Sequence, residues 1–258
     1  MTVALAGMEY GQGAPLVVLH GLFGSGRNWA SVARRLAARR RVLVPDLRNH
    51  GDSPWSDAMG YEDMATDVFA FIRARGLGRA ALLGHSMGGK TAMLTALEHG
   101  DAVERLIVVD IAPVTYPVHW AAEIEEMRAL DLEVIARRAD ADRLLSARIP
   151  DGALRAFLLQ NLVFEAGKAH WRLNLPAIER AMPRLGGFPA RAAAAPFAGP
   201  ALFIAGDRSD YVRAAHETAI LSYFPSATIS RIEGAGHWVH AEQPEAFVRA
   251  VERFLDDR

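Results

Sequence analysis

The stretch LLGHSMGGKTAM, residues 82–93, decides the fold. An apolar run ends at Gly84, a single serine follows two residues on, and a helical pattern begins at once. Gly84 and Gly88, each two positions from Ser86, are what a sharp strand-to-helix elbow demands. The serine there is held in a strained conformation, and larger neighbours would collide. Such an elbow lifts the hydroxyl above the strand end and aims the first amides of the new helix at the same point. The alternative is a small polar residue in an ordinary turn, because G-x-S-x-G arises by chance in on the order of one chain in ten at normal glycine usage. A hydroxyl becomes a nucleophile only with a base beside it and charge stabilisation in front of it.

Working outward, short β-type runs alternate with longer helical stripes. Residues 16–20 (LVVLH), 41–47 (RVLVPDL), 80–84 and 105–110 (RLIVVD) read as strands. Helices are expected over 29–39, begun by Asn28 as a capping residue, and over 63–75 and 87–98. From Pro113 to Pro196 the patterns are helical only, over 123–130, 133–139, 153–163 and 177–182. Strand and helix signals then resume at 201–205, 213–223, 228–232 and 244–255. This order predicts an α/β fold with a mostly parallel central sheet flanked by helices. Residues 1–112 and 197–258 form the core domain, and 113–196 an inserted all-helical cap. The alanine-rich stretch 189–200 (PARAAAAPFAGP) reads as the return linker.

The chain has 258 residues, enough for one substantial core, with 51% hydrophobic and 23% charged residues, which is ordinary globular composition. A net charge of −1 gives no broad pull toward nucleic acid or anionic lipid. With no cysteine, disulfides, thiolate catalysis and cysteine-bound metals are excluded. The histidines lack metal-ligand spacing, so neither metal nor cofactor is expected. No apolar run reaches the ~20 residues of a membrane span, and the first residues lack the features of a signal peptide. A cytoplasmic protein with a small-molecule substrate is the expectation.

A base for Ser86 is expected in a later strand-end loop. EGAGHWVHAEQPE, residues 233–245, offers His237, flanked by small residues and close behind the strand 228–232. His240 is the rival, but it runs toward the helix at Pro244, which it is expected to cap or solvate. LHGLFGSG, residues 19–26, supplies a glycine-rich turn where main chain approaches a ligand closely. The amide of Leu22, with Phe23 as an adjacent alternative, would face the amide of Met87 across a developing oxyanion. His50 and Asp52 in RNHGDSP are expected to brace the loop beside the site. In the insert, Glu123, Glu125 and Glu126 read as a solvated helix face. Trp120, Phe157, Phe164 and Trp171 read as core, with one or two available to line an acyl pocket.

Strand-HGLFGSG, DLRNHGDSP, GHSMGGKTAM, VVDIAPV and GAGHWVHAE, in this order, resemble the α/β-hydrolase superfamily. More narrowly they resemble the bacterial YbfF-type short-chain serine esterases and their mitochondrial relatives. The likeness runs from about Leu16 to the end of the chain and is weakest in the insert. One departure is Trp55, where many relatives carry histidine after Ser-Pro. The resemblance implies hydrolysis of short acyl esters, or of acyl-CoA thioesters, through an acyl-enzyme on Ser86, without a cofactor.

The acid is contested. Most members of the superfamily place it after the strand that is ALFIAG here, about three residues past the glycine, and that slot holds Ser209. Asp207 and Asp210 lie to either side and also suit a turn and a helix start. The YbfF-type resemblance implies Asp110 instead, at the tip of a buried strand where a desolvated carboxylate orients an imidazole well. Ser209 would then support His237 or Asp110. Dehalogenase and epoxide hydrolase chemistry is disfavoured, since those reactions on this fold need aspartate where Ser86 stands. The reading from another class is a non-catalytic ligand receptor on the same fold.

Overall fold

The computed structural model describes residues 1–117, 120–189 and 195–257. In chain order, the first part holds β1 (Gly7–Tyr10), β2 (Pro15–Leu19), α1 (Ala30–Leu36), β3 (Arg41–Pro45), α2 (Tyr61–Ala74), β4 (Ala80–His85), α3 (Met87–Glu98) and β5 (Val103–Val109). An insert follows with α4 (Ala121–Ala129), α5 (Arg138–Leu145), α6 (Gly152–Leu159), the hairpin β6 (Leu162–Glu165) and β7 (Lys168–Trp171), and α7 (Leu175–Leu185). The chain returns through β8 (Ala201–Gly206), α8 (Glu217–Tyr223), β9 (Ala227–Ile232), α9 (Val239–Glu242) and α10 (Pro244–Asp256).

Seven strands form one sheet in the order β1-β3-β2-β4-β5-β8-β9. Only β1 runs antiparallel, against β3; the other pairings are parallel. β4 and β8 are buried at every position, as strands covered on both faces must be. One face packs against α2, α3 and the insert through residues such as Phe71, Met93 and Ile124. The other packs against α1 and α10 through Trp29, Leu36, Phe247 and Val251. α10 illustrates the logic: Pro244 opens it without needing a donor, and Phe247, Val248, Val251 and Leu255 form its buried stripe. Each such side chain stabilises the fold by roughly 1.5–3 kcal/mol, and a charge at Val251 would break the contact.

The strand order turns back on itself at β2, with β3 on one side and β4 on the other. Loops leaving β2 and β4 therefore diverge above the sheet, and the crevice between them is where ligands sit in open α/β sheets.

The structure corrects four local expectations. The insert is not all-helical: residues 162–171 form a hairpin whose register pairs Glu165 with Lys168 across Ala166 and Gly167. Both turn residues have positive φ, 49° and 77°, the geometry of a two-residue hairpin turn. Val163 and Phe164 suit a strand, and the stripe that suggested helix ends with α6 at Leu159. Residues 132–134 make a 3-10 turn, because Asp131 accepts from the Glu133 N–H and closes it before α5 begins. Asn28 does not cap α1. It lies inside a 3-10 turn, where its Oδ1 accepts from the Ser25 N–H at 2.8 Å. Asp207 and Asp210 cap no helix; Arg213 precedes the turn at Ala214–His216. The expected return linker, 189–200, lies partly outside the described residues. Among the described residues no helix is long and apolar enough to cross a membrane, and none of the His, Asp and Glu side chains cluster as a metal site.

Candidate active site

Ser86 stands between β4 and α3 with φ 52° and ψ −117°, a conformation that L-residues seldom adopt. Its N–H donates to the Val109 carbonyl at 3.1 Å, so the serine is tied to the end of β5. A Cβ on Gly84 would lie 2.2 Å from the Gly88 carbonyl oxygen, and one on Gly88 2.5 Å from the His20 carbonyl oxygen. The elbow therefore has no room for side chains at either position.

Asp110, also at positive φ (50°), caps β5 and is fully buried. Its N–H donates to the Ile204 carbonyl at 2.8 Å, and its Oδ1 accepts from the Gly206 N–H at 3.0 Å. Oδ2 accepts from the Ser209 hydroxyl and from His237 Nδ1 at 2.8 Å. Asp207 and Asp210 are exposed in the turn after β8, without a hydrogen bond to His237 among the described residues. Of the three carboxylates the sequence offers, Asp110 is the one brought to the imidazole, with Ser209 on the same oxygen.

His237 is further held by stacking on Tyr211, with ring centroids 4.1 Å apart and planes 26° from parallel. Its carbonyl accepts from His85 Nε2 at 2.9 Å. His240 is not at the surface capping α10: it lies in α9, buried, and stacks on Trp29 at 4.1 Å. Burial pushes its imidazole down to about 3, and the charge of His237 acts in the same direction. His85 is lowered for the same reasons, burial first and then His237 and His240. Neutral His85 and His240 thus flank His237, whose ring is the one of these three that meets a carboxylate.

The loop after β2 is clamped from two sides. The Phe23 N–H donates to His50 Nε2 at 3.2 Å, and its carbonyl accepts from Asn161 Nδ2 at 2.8 Å. These hold Phe23 at φ 60° and fix Leu22 beside Ser86. His50 Nδ1 in turn donates to the Arg48 carbonyl at 2.9 Å, and His20 Nε2 accepts from the Leu47 N–H at 2.9 Å. Burial lowers His20 to about 4 and His50 to about 3, so both stay neutral and offer a lone pair to those amides. His50 does brace the loop; Asp52 contributes through its N–H, which donates to Asp46 Oδ2 at 2.8 Å. Behind them Arg48 forms a fully buried two-point pair with Asp67, at 2.6 and 2.8 Å.

Two cavities meet at Ser86 and share Leu22 and Trp120 as a partition. One contains His237, His20, Trp29, Phe157 and Trp238. It continues outward into a groove lined by Asn28, Phe157, Gln160, Trp238 and Asp151. The other contains Met87, Tyr61, Tyr116, Met182 and Lys90. Trp120 and Phe157 line these spaces, whereas Trp171 is buried core and Phe164 packs against it. Glu125 is exposed and Glu123 and Glu126 half-buried on α4. Trp55 is exposed and lines neither cavity. Sequence reasoning missed Tyr211, Asn161, His20 and Lys90. His20 and Lys90 flank the two glycine-rich motifs, and that adjacency was the available signal.

A parallel sheet of this order, with a strained serine at its topological switch and a histidine-carboxylate pair beside it, defines the α/β-hydrolase class. The family described as alpha/beta hydrolase fold matches residues 14–244, and the chain belongs to it. The chain is 44% identical over 248 residues to sn-1-specific diacylglycerol lipase ABHD11 of Mus musculus, covering 93% of this chain and 80% of that protein. It is 38% identical over 246 residues to esterase YbfF of Escherichia coli K12, covering 95% and 94%. A solved marine microorganism esterase superposes with a TM-score of 0.94 at 38% identity, covering 98% of this chain and all of that one (100%). The protein is an esterase-type hydrolase of this family, of the YbfF kind.

Proposed function

We propose that the protein is a serine carboxylester hydrolase that cleaves short-chain acyl esters through a Ser86–His237–Asp110 triad and an acyl-enzyme. The observation that carries this reading is the 2.8 Å contact between His237 and buried Asp110, with His237 and Ser86 lining one cavity. Ser86 Oγ attacks the ester carbonyl while His237 takes its proton, and Asp110 stabilises the imidazolium and sets its tautomer. The amides of Met87 and Leu22 receive the oxyanion, since the neighbouring Phe23 amide is occupied by His50. His237 then protonates the leaving alcohol, and a water activated by the same imidazole releases the acid.

The leaving oxygen must stand next to the base, so the cavity containing His237 takes the alcohol and the one containing Met87 and Lys90 takes the acyl group. The insert, residues 113–196, acts as a cap whose Trp120 separates the two. Oxygen esters are favoured over acyl-CoA thioesters, because the charged residue that lines the outer groove is Asp151, unsuited to a phosphate-rich leaving group.

A fluorophosphonate probe is expected to label Ser86, and Ser86→Ala to abolish both labelling and ester hydrolysis. Labelling that persists in the variant, mapped by peptide mass to another serine, overturns the assignment.

A further inference from the structure

Lys90 is one of two lysines in the chain, and its side chain is almost wholly buried. It leaves α3 one turn after Ser86 and lines the cavity assigned above to the acyl group. Its Nζ donates to the Gly186 and Gly187 carbonyls at 2.9 and 2.6 Å, just past α7. It also sits over two aromatic rings, 4.9 Å from the centroid of Tyr116 and 5.6 Å from that of Tyr61. An ammonium has three donors, so one remains for the cavity.

What the ammonium lacks is a counter-charge. Among the described residues no Asp or Glu lines this cavity, and burial alone, with no carboxylate beside it, shifts Lys90. The titratable groups facing it are Tyr61 from α2, Tyr116 from the loop after β5 and Tyr211 beyond β8. All three are pushed upward by burial and therefore stay neutral. The first turn of α3 adds the positive end of a helix dipole nearby. Desolvation of the cation is a cost already present in the folded protein, and a buried charge without a partner is the expensive arrangement. An anion entering this cavity would complete the pair and, being partly shielded from water, would be held more strongly than at the surface. A hydrocarbon tail entering it would instead meet a polar amine and leave its third donor unmatched.

From these contacts we infer that the acyl cavity is built for acyl groups bearing a second, distal carboxylate, with Lys90 as the specificity-determining residue. This rests on the esterase reading above. The preferred substrates are then half-esters of short dicarboxylic acids, with the ester carbonyl at Ser86 and the free carboxylate at Lys90. Burial lowers Lys90 to about 7, and a carboxylate at the third donor would draw it back upward.

The test compares monomethyl succinate, glutarate and adipate with methyl butyrate, valerate and hexanoate, following acid release. For at least one chain length the half-ester is expected to exceed its neutral counterpart about tenfold or more in kcat/KM. In Lys90→Met, similar in length but uncharged, that ratio should fall to one or below, mainly through KM. Should Lys90→Met fail to fold, inhibition of wild-type methyl butyrate hydrolysis decides: free glutarate is expected to compete at lower concentration than uncharged valeramide. Neutral esters preferred at every length, a half-ester preference that survives Lys90→Met, or valeramide competing as well as glutarate, each overturns the anion pocket and leaves the hydrolase standing. Absence of turnover in both series overturns the esterase reading itself.

Discussion

Asp110 Oδ2 accepts from two donors at once, the Ser209 hydroxyl and His237 Nδ1, the latter at 2.8 Å. One buried oxygen therefore sets both the position and the tautomer of the imidazole. Asp110→Asn is expected to keep the fold and lower kcat by about 10⁴, because an amide neither holds the required tautomer nor stabilises the imidazolium. Ser209→Ala removes one hydrogen bond to that oxygen and should cost about tenfold, near 1.4 kcal/mol. Asp207→Asn and Asp210→Asn, in an exposed turn, should change kcat little. Steady-state kinetics on a short ester checks the set. A crippled Asp210→Asn beside an Asp110→Asn within tenfold of wild type would move the acid to the turn after β8.

His50→Leu removes the acceptor for the Phe23 N–H while leaving the neighbouring loop its bulk. A buried amide without a partner costs about 1–3 kcal/mol, seen as a lower urea midpoint. Since Leu22 is next in the chain, kcat should fall more than KM rises. Unchanged kcat with reduced stability would show that the clamp does not position the oxyanion loop.

Four buried imidazoles, those of His20, His50, His85 and His240, make stability depend on pH. His20, His50 and His240 are lowered by burial from 6.5 to about 4, 3 and 3. Between those values and 6.5 the unfolded chain binds more protons than the folded one, so acid favours unfolding. Their contribution is complete above about pH 6.5 and is lost as pH falls toward the folded values. Each fully titrating histidine removes about 1.4 kcal/mol per pH unit. Urea midpoints at pH 7.5, 5.5 and 4.5 should decline with growing steepness. A flat profile would contradict neutral, buried histidines in the folded state.

The cavity proposed for the acyl group ends against Lys90 and the chain at Gly186. Acyl groups of two to six carbons should therefore outrun palmitoyl in kcat/KM. A p-nitrophenyl ester series measures this, and a value that rises steadily to long chains would refute the short-chain reading.

The elbow was legible in the sequence because glycines at Gly84 and Gly88 have a steric reason that fixes their offset from Ser86. His237 was singled out because it closely follows a recognisable apolar run, whereas Asp110 was set above Asp207 and Asp210 by the family resemblance, and its contact with the imidazole emerges only in the structure. The hairpin at 162–171 was not, since Val163 and Phe164 continue the apolar spacing of α6 and periodicity alone does not separate a short strand from a helix's last turn. Nor was the Lys90 environment. Its partners, Gly186 and Gly187, lie 96 and 97 positions away, and no local pattern reports such an approach. The Phe23–His50 bond has the same character: both residues were noticed, but their contact depends on how two loops cross.

β5 and β8 are hydrogen-bonded neighbours although the whole insert lies between them in the chain. During synthesis Ser86 and Asp110 therefore emerge first, and His237 arrives only after the insert has been made. A nascent chain thus carries Ser86 without the imidazole proposed as its base, so recovery of turnover in refolding should trail the appearance of helix. The entropy of closing a connection grows only with the logarithm of its length, about 0.6 kcal/mol per doubling. Lengthening or shortening the insert thus leaves the docking of β8 nearly unaffected, which frees this segment to diverge in size and shape while the sheet beneath it is held constant.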